Sequence, residues 1–222
     1  MKMQPFFHKI QCGFTLVEMA IVLAIVAMLL GGLLPTISAQ MEQQRRSETR
    51  KQLDEVQQAL TGYSIINRRL PCPAQPNIAS GISGAGVSDC TISTGVLPWA
   101  TLGTSETDAW GRRYSYTASN SFITSNITLA FTGTLSVKSA ASGANIANSI
   151  PAVIVSHGPN GLGAYTTSGV QISASSDLDE ADNSNGGTTF VSHNPSSSFD
   201  DLVIWISPNI LFNRMVSAGI LP

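Results

Sequence analysis

The chain has 222 residues, a formal net charge of −2 and 12% charged residues, about half the roughly 25% usual for a soluble domain. That length holds one domain plus an appendage rather than two full domains, and so little positive charge argues against a nucleic-acid partner. Apolar residues make up 43%. They crowd into a nearly continuous block at 14–34, whereas Ser, Thr, Asn and Gly dilute them elsewhere, so the chain is bipartite.

Residues 1–13, MKMQPFFHKIQCG, hold Lys2 and Lys9 and no apolar core. From Phe14 to Ala39 the only charge is Glu18. That run exceeds the roughly 20 residues a helix needs to cross the hydrocarbon core of a bilayer, so a membrane span over 14–39 is expected. A charge inside such a span costs about 2.5–3.5 kcal/mol, less near a helix end, and normally has a partner and a task. A secretory signal ending at Ile37-Ser38-Ala39 is the rival reading, with Glu18 and the length of the run against it. Pro35, after Gly31-Gly32, is expected to kink or locally open the helix. Lys2 and Lys9 precede the run while Arg45, Arg46, Arg50 and Lys51 follow it, so the positive-inside count leaves orientation ambiguous.

Gly13 followed by Phe14-Thr-Leu-Val-Glu18, the apolar run and Pro35 resembles the prepilin signature of type IV pilins and type II secretion pseudopilins. The resemblance implies cleavage between Gly13 and Phe14 by a prepilin peptidase and methylation of the new amine of Phe14. It implies that Glu18 pairs with the amino-terminal ammonium of a neighbouring subunit during assembly on an inner-membrane platform. It places the precursor in the bacterial inner membrane, single-pass, with a periplasmic head, and later in a pilus or pseudopilus fibre. Cys12 would leave with the leader, so Cys72 and Cys90 remain.

Beyond Ala39 the helical pattern continues over 40–69, with Leu53, Val56, Leu60 and Tyr63 as an apolar stripe. The expected fold is α+β: a long amino-terminal helix, membrane-spanning in its first half, packed against an antiparallel β-sheet head over 70–222. Within the Pro-, Gly- and Ser-rich stretch 70–98, Cys72 and Cys90 lack a Cys-x-x-Cys pair and nearby histidines, which favours a disulfide over zinc. Trp110-Gly111 reads as a turn, with Tyr114 and Tyr116 on one face of the following strand, and further strands are expected near 127–135, 152–157 and 202–206. Pro159-Asn160-Gly161 suits a tight turn.

The polar stretch 166–199 exceeds an ordinary connection. It carries Asp177, Asp179, Glu180 and Asp182, of which Asp177, Asp179 and Asp182 are weak calcium candidates, since their spacing does not fit an EF-hand. The run Asp108-Ala109-Trp110-Gly111, then SHGPNG, then Asp201-Leu-Val-Ile-Trp205 resembles the head of the major type II pseudopilin. Ala109 and Asn160 depart from that pattern. The tail reads as a helix with Ser207 as N-cap, Pro208 first, Leu211 and Met215 inward and Gly219 as stop.

Hydrolase motifs such as Gly-x-Ser-x-Gly and His-Glu-x-x-His are absent from the sequence, and His157 and His193 read as turn or surface residues, so no enzyme is expected. The expected function is a structural subunit of a type IV pilus or type II secretion pseudopilus. The alternative is a minor or tip pilin whose head binds a surface or DNA through the 166–199 loop or Arg68, Arg69, Arg112 and Arg113.

Overall fold

The computed structural model describes Gly13 and residues 15–222, with the backbone alone at 30–36. The leader, the amine of Phe14 and the side chain of Pro35 lie outside the described residues. The chain divides into two compact units, residues 1–43 and 44–222. Helix α1, Leu16–Asn67, contributes to each.

In the first unit α1 presents its apolar side chains outward, from Leu16 at 91% exposure to Met28 at 83%. Among the described residues no helix is long and apolar enough to cross a membrane. The span expected over 14–39 includes Phe14 and the side chains of 30–36, which lie outside that description.

The second unit is built on the α1 stripe foreseen from the spacing, with Leu53, Val56 and Leu60 buried and Tyr63 half-buried; Thr49 and Ser64, which were not foreseen, are buried as well. Steps of three and four residues place these side chains on one face. That face closes on a four-stranded antiparallel sheet in the order β1 (Thr94–Val96), β3 (Ser115–Ala118), β6 (Ala152–Ser156), β9 (Leu202–Trp205). Every residue of β6 is buried, because alternation sends its side chains to two cores. Ala152 and Ile154 join Leu53, Val56, Leu60, Tyr114 and Tyr116. Val153 and Val155 join Leu135, Val137, Ile150 and Phe190 on the opposite face. The second core is covered by a three-stranded sheet, β5 (Asn145–Ile150), β4 (Leu135–Lys138), β8 (Thr189–Val191), in which β4 and β8 run parallel. Between β1 and β3 lies a short helix α2 (Trp99–Leu102) and strand β2 (Arg112–Arg113), which pairs with β7 (Tyr165–Thr166); α3 (Asn120–Thr124) follows β3.

Two expectations are corrected and one strand is added. Residues 127–134 are not a strand: Ile127 is buried through a loop whose backbone N–H donates to the Arg68 carbonyl at 2.7 Å, and β4 begins only at Leu135. Strand β5 was not foreseen, since it shows no alternation and is exposed along most of its length. The 166–199 stretch is not a bare loop. It contains helix α4, Leu178–Ser184, and strand β8. Asp177 caps α4 by accepting from the Asp179 N–H at 2.9 Å, which leaves one fewer orphan donor at the helix start.

Cys72 and Cys90 form a disulfide. The bridged loop is tied down again by Arg113. Its buried guanidinium donates to the carbonyls of Pro76 and Ile78 at 2.9 and 2.8 Å, pairs with Glu106 at 2.9 Å and lies 4.6 Å over the Trp99 ring. The carboxy-terminal helix α5, Pro208–Ser217, buries Leu211 and Met215 and is followed by Gly219 at φ 72°. Ser207 sits at its N-cap but makes no side-chain capping bond.

Candidate functional sites

The first site is the start of α1. The Thr15 N–H and hydroxyl donate to Glu18 Oε2 at 2.9 and 3.0 Å, and the Glu18 N–H donates back to the Thr15 hydroxyl at 3.2 Å. This is the reciprocal arrangement of a capping box, in which two side chains satisfy helix-start donors that have no carbonyl four residues back. The spacing Thr-x-x-Glu was the signal for it, and it gives Glu18 a local role that reading the charge by itself missed. Both Thr15 donors converge on one oxygen, so Oε1 has no partner among the described residues.

The second site lies in the head, where the turn after β6, α4 and the entry to β9 meet. Asp200 and Asp201 immediately precede β9, and Glu180 is the third residue of α4. One carboxylate oxygen from each lies within 4.8 Å of the others. Asn160 locks the frame: its amide donates to Glu180 Oε1 at 2.8 Å and its backbone N–H to Asp200 Oδ2 at 3.1 Å. The Asp200 N–H adds a bond to Glu180 Oε1 at 3.0 Å, and Asn183 donates to Asp201 Oδ2 at 2.8 Å. The turn approaches closely enough that a Cβ on Gly158, at φ +56°, would lie 2.4 Å from the Asp200 carbonyl. Only glycine takes that conformation there without strain.

These bonds leave Glu180 Oε2, Asp200 Oδ1 and Asp201 Oδ1 buried without a partner. Desolvation pushes the Asp201 carboxyl up to about 8, with Glu180 and Asp200 repelling its charge. Desolvation likewise raises Asp200 to about 6, with Glu180 repelling its charge and Arg46 and Arg112 partly offsetting the rise. His157 offers no compensating charge: desolvation, reinforced by Arg112, lowers it to about 4. Three crowded carboxylates with buried open oxygens fit a hard divalent cation, which prefers an all-oxygen donor set.

The three carboxylates flagged in the sequence as calcium candidates are not assembled into one donor set. Asp177 caps α4. Asp179 pairs with His193 Nε2 at 3.0 Å and accepts from the Ala141 N–H at 2.6 Å. Asp182 accepts from the Asn185 amide at 3.2 Å. Glu180 alone of the acidic run reaches the cluster. Asp200 and Asp201 are about twenty positions downstream, a separation that no local spacing rule links.

His157 is fully buried rather than at a surface turn. Its Nε2 shares a hydrogen bond with Ser115 Oγ at 2.8 Å, while its Nδ1 stands 3.8 Å from Asp201 Oδ1. That second gap is too long for a hydrogen bond, so this Ser–His–Asp line lacks the contact that orients a catalytic imidazole. His193 is half-exposed and stacks on Phe199 with ring centroids 3.9 Å apart. Arg112 and Arg113, considered as nucleic-acid contacts, are consumed internally: Arg112 donates to the carbonyls of Gly158 and Pro159 at 2.8 and 2.9 Å, and Arg113 is buried.

Residues 8–34 match the family model described as the prokaryotic N-terminal methylation motif. No curated protein and no solved structure gives a match. The matched segment contains Gly13, Thr15 and Glu18 of the first site, and the head behind it is α+β with an antiparallel sheet. Over residues 8–34 the chain therefore carries the prokaryotic N-terminal methylation motif, the hallmark of type IV pilins and pseudopilins.

Proposed function

We propose that the chain is a structural subunit of a type IV pilus or type II secretion pseudopilus. Prepilin peptidase cuts it between Gly13 and Phe14 and methylates the new amine, and an inner-membrane platform then draws the anchored precursor into a fibre. The observation that carries this reading is the methylation motif at 8–34, joined to a Glu18 carboxylate with one oxygen held by Thr15 and the other open. An open carboxylate oxygen beside an apolar helix suits a neighbour's ammonium, because an ion pair in a low-dielectric bundle enforces register even where it adds little stability. The test is incorporation. Fibres sheared from cells making the wild-type chain contain it, and fibres from cells making Glu18→Ala lack it while the processed protein persists in the membrane; normal incorporation of Glu18→Ala refutes the pairing role.

In the same reading the head holds a calcium ion through Glu180, Asp200 and Asp201. The support is the three buried, unpartnered carboxylate oxygens. A bound divalent cation supplies the positive charge that the neutral His157 does not, and it ties the turn after β6 and α4 to β9.

A second reading, a minor or tip pilin with a binding head, is favoured by one feature of the head, a groove lined by Thr94, Thr117 and Gly186 and by no charged side chain.

A further inference from the structure

The face of β3 opposite the first core carries hydroxyls. Tyr114, Tyr116 and Ala118 point into that core. The alternate positions are Ser115 and Thr117, and Thr94 of β1 pairs directly with Thr117. A groove runs there with one lobe of about 240 Å³ and another of about 310 Å³, and both lobes are lined by Thr94, Thr117 and Gly186. Together they have the size of an ordinary small-ligand site.

Three properties define what fits. First, neither lobe is lined by any Asp, Glu, Lys, Arg or His. The groove along β9, by contrast, is lined by Arg50, Asp54, His193 and Asp201. Second, the hydroxyls of Thr94, Thr117 and Tyr165 make no hydrogen bond among the described residues and belong to residues that line the groove. A hydroxyl without an internal partner at a groove wall is available to a ligand that enters the groove. Third, each of these groups donates and accepts, and Tyr165 adds an aromatic surface at the wall of the first lobe.

A charged ligand would find no counter-charge here. An extended peptide cannot add to the sheet at Val96, because Ala74 already occupies that edge with reciprocal backbone bonds of 2.8 and 3.0 Å. What remains is a neutral molecule rich in hydroxyls with a pyranose-sized body. We propose that this groove is a binding site for a neutral saccharide unit, with Thr94, Thr117 and Tyr165 as its hydrogen-bonding residues. This goes beyond the fibre-subunit reading and does not depend on it, since every lining residue belongs to the head.

The test uses the full chain in a non-glycosidic detergent and saturation-transfer NMR with methyl glucoside, methyl mannoside, methyl galactoside, N-acetylglucosamine and the anionic N-acetylneuraminic acid as probes. At least one neutral pyranoside should receive saturation, and the acidic sugar none. Thr117→Val and Tyr165→Phe each remove a hydroxyl while keeping shape, and each should weaken the dissociation constant about three- to tenfold. If Thr117→Val does not fold, Tyr165→Phe decides alone. Saturation of no neutral sugar, equal saturation of the acidic one, or an unchanged dissociation constant in the folded variants overturns the assignment.

Discussion

Residues 16–43 and residues 44–222 treat apolar surface in opposite ways. In the first, Leu16, Leu23, Met28 and Leu29 stand open, each more than half exposed. In the second, two cores close around β6, with Leu60, Tyr116, Phe122 and Ile154 at 0% exposure. A helix that exposes a continuous apolar surface is completed by another phase or another chain, whereas the head completes itself. The difference teaches where each part's function is written: in the first unit in local sequence, in the second in contacts between distant segments.

That contrast can be broken at its strongest point by core truncation. Leu60→Ala in the head should cost about 2–5 kcal/mol, read as a lowered melting temperature. Ile21→Ala in the exposed run should change the head's melting by less than about 0.5 kcal/mol. Equal losses at the two positions would show that the first unit contributes to the head's core. Next in size is the disulfide. Cys72→Ser with Cys90→Ser releases a loop of sequence separation 18, which should lower stability by about 3 kcal/mol and the melting temperature by roughly 6–12 °C. Retention of much of the loop's order in that variant is expected, because Arg113 still holds the carbonyls of Pro76 and Ile78.

Calcium comes third. At a hundredfold excess over its dissociation constant the ion should stabilise the head by about 2.7 kcal/mol, seen as a higher melting temperature in calcium than in chelator. Glu180→Gln should erase that difference; a calcium shift that survives the substitution, or no shift in the wild type, contradicts the site. The smallest effect is expected at Ser207→Ala. A capping serine is usually worth about 1 kcal/mol, but Ser207 makes no capping bond, so thermal melting should move by less than about 0.5 kcal/mol.

Legibility follows the same division. The methylation motif at 8–34 was readable because such a signal is short and contiguous. The α1 stripe and the inward Leu211 and Met215 were readable because helical periodicity survives in sequence. Strand β5 was not, since most of its residues face outward and no alternation marks it. Helix α4 is mostly polar and is capped by Asp177. The Asp177-x-x-Glu180 spacing was the available sign of it, and that spacing competed with a metal-ligand reading of the same acids. The carboxylate cluster was illegible because α4 carries Glu180 to residues entering β9, and only the packed head makes them neighbours. The buried His157 was misjudged for a related reason: the glycine and proline after it signal a surface turn, while it directly follows β6 and its ring lies buried against Ser115 of β3.

The most direct measurement is intact-mass and amino-terminal analysis of the mature protein recovered from membranes. The account predicts a chain that begins at Phe14 and carries one methyl group on its amine. A mature chain that retains Met1, or that begins at Gln40 after signal-peptidase cleavage, contradicts it.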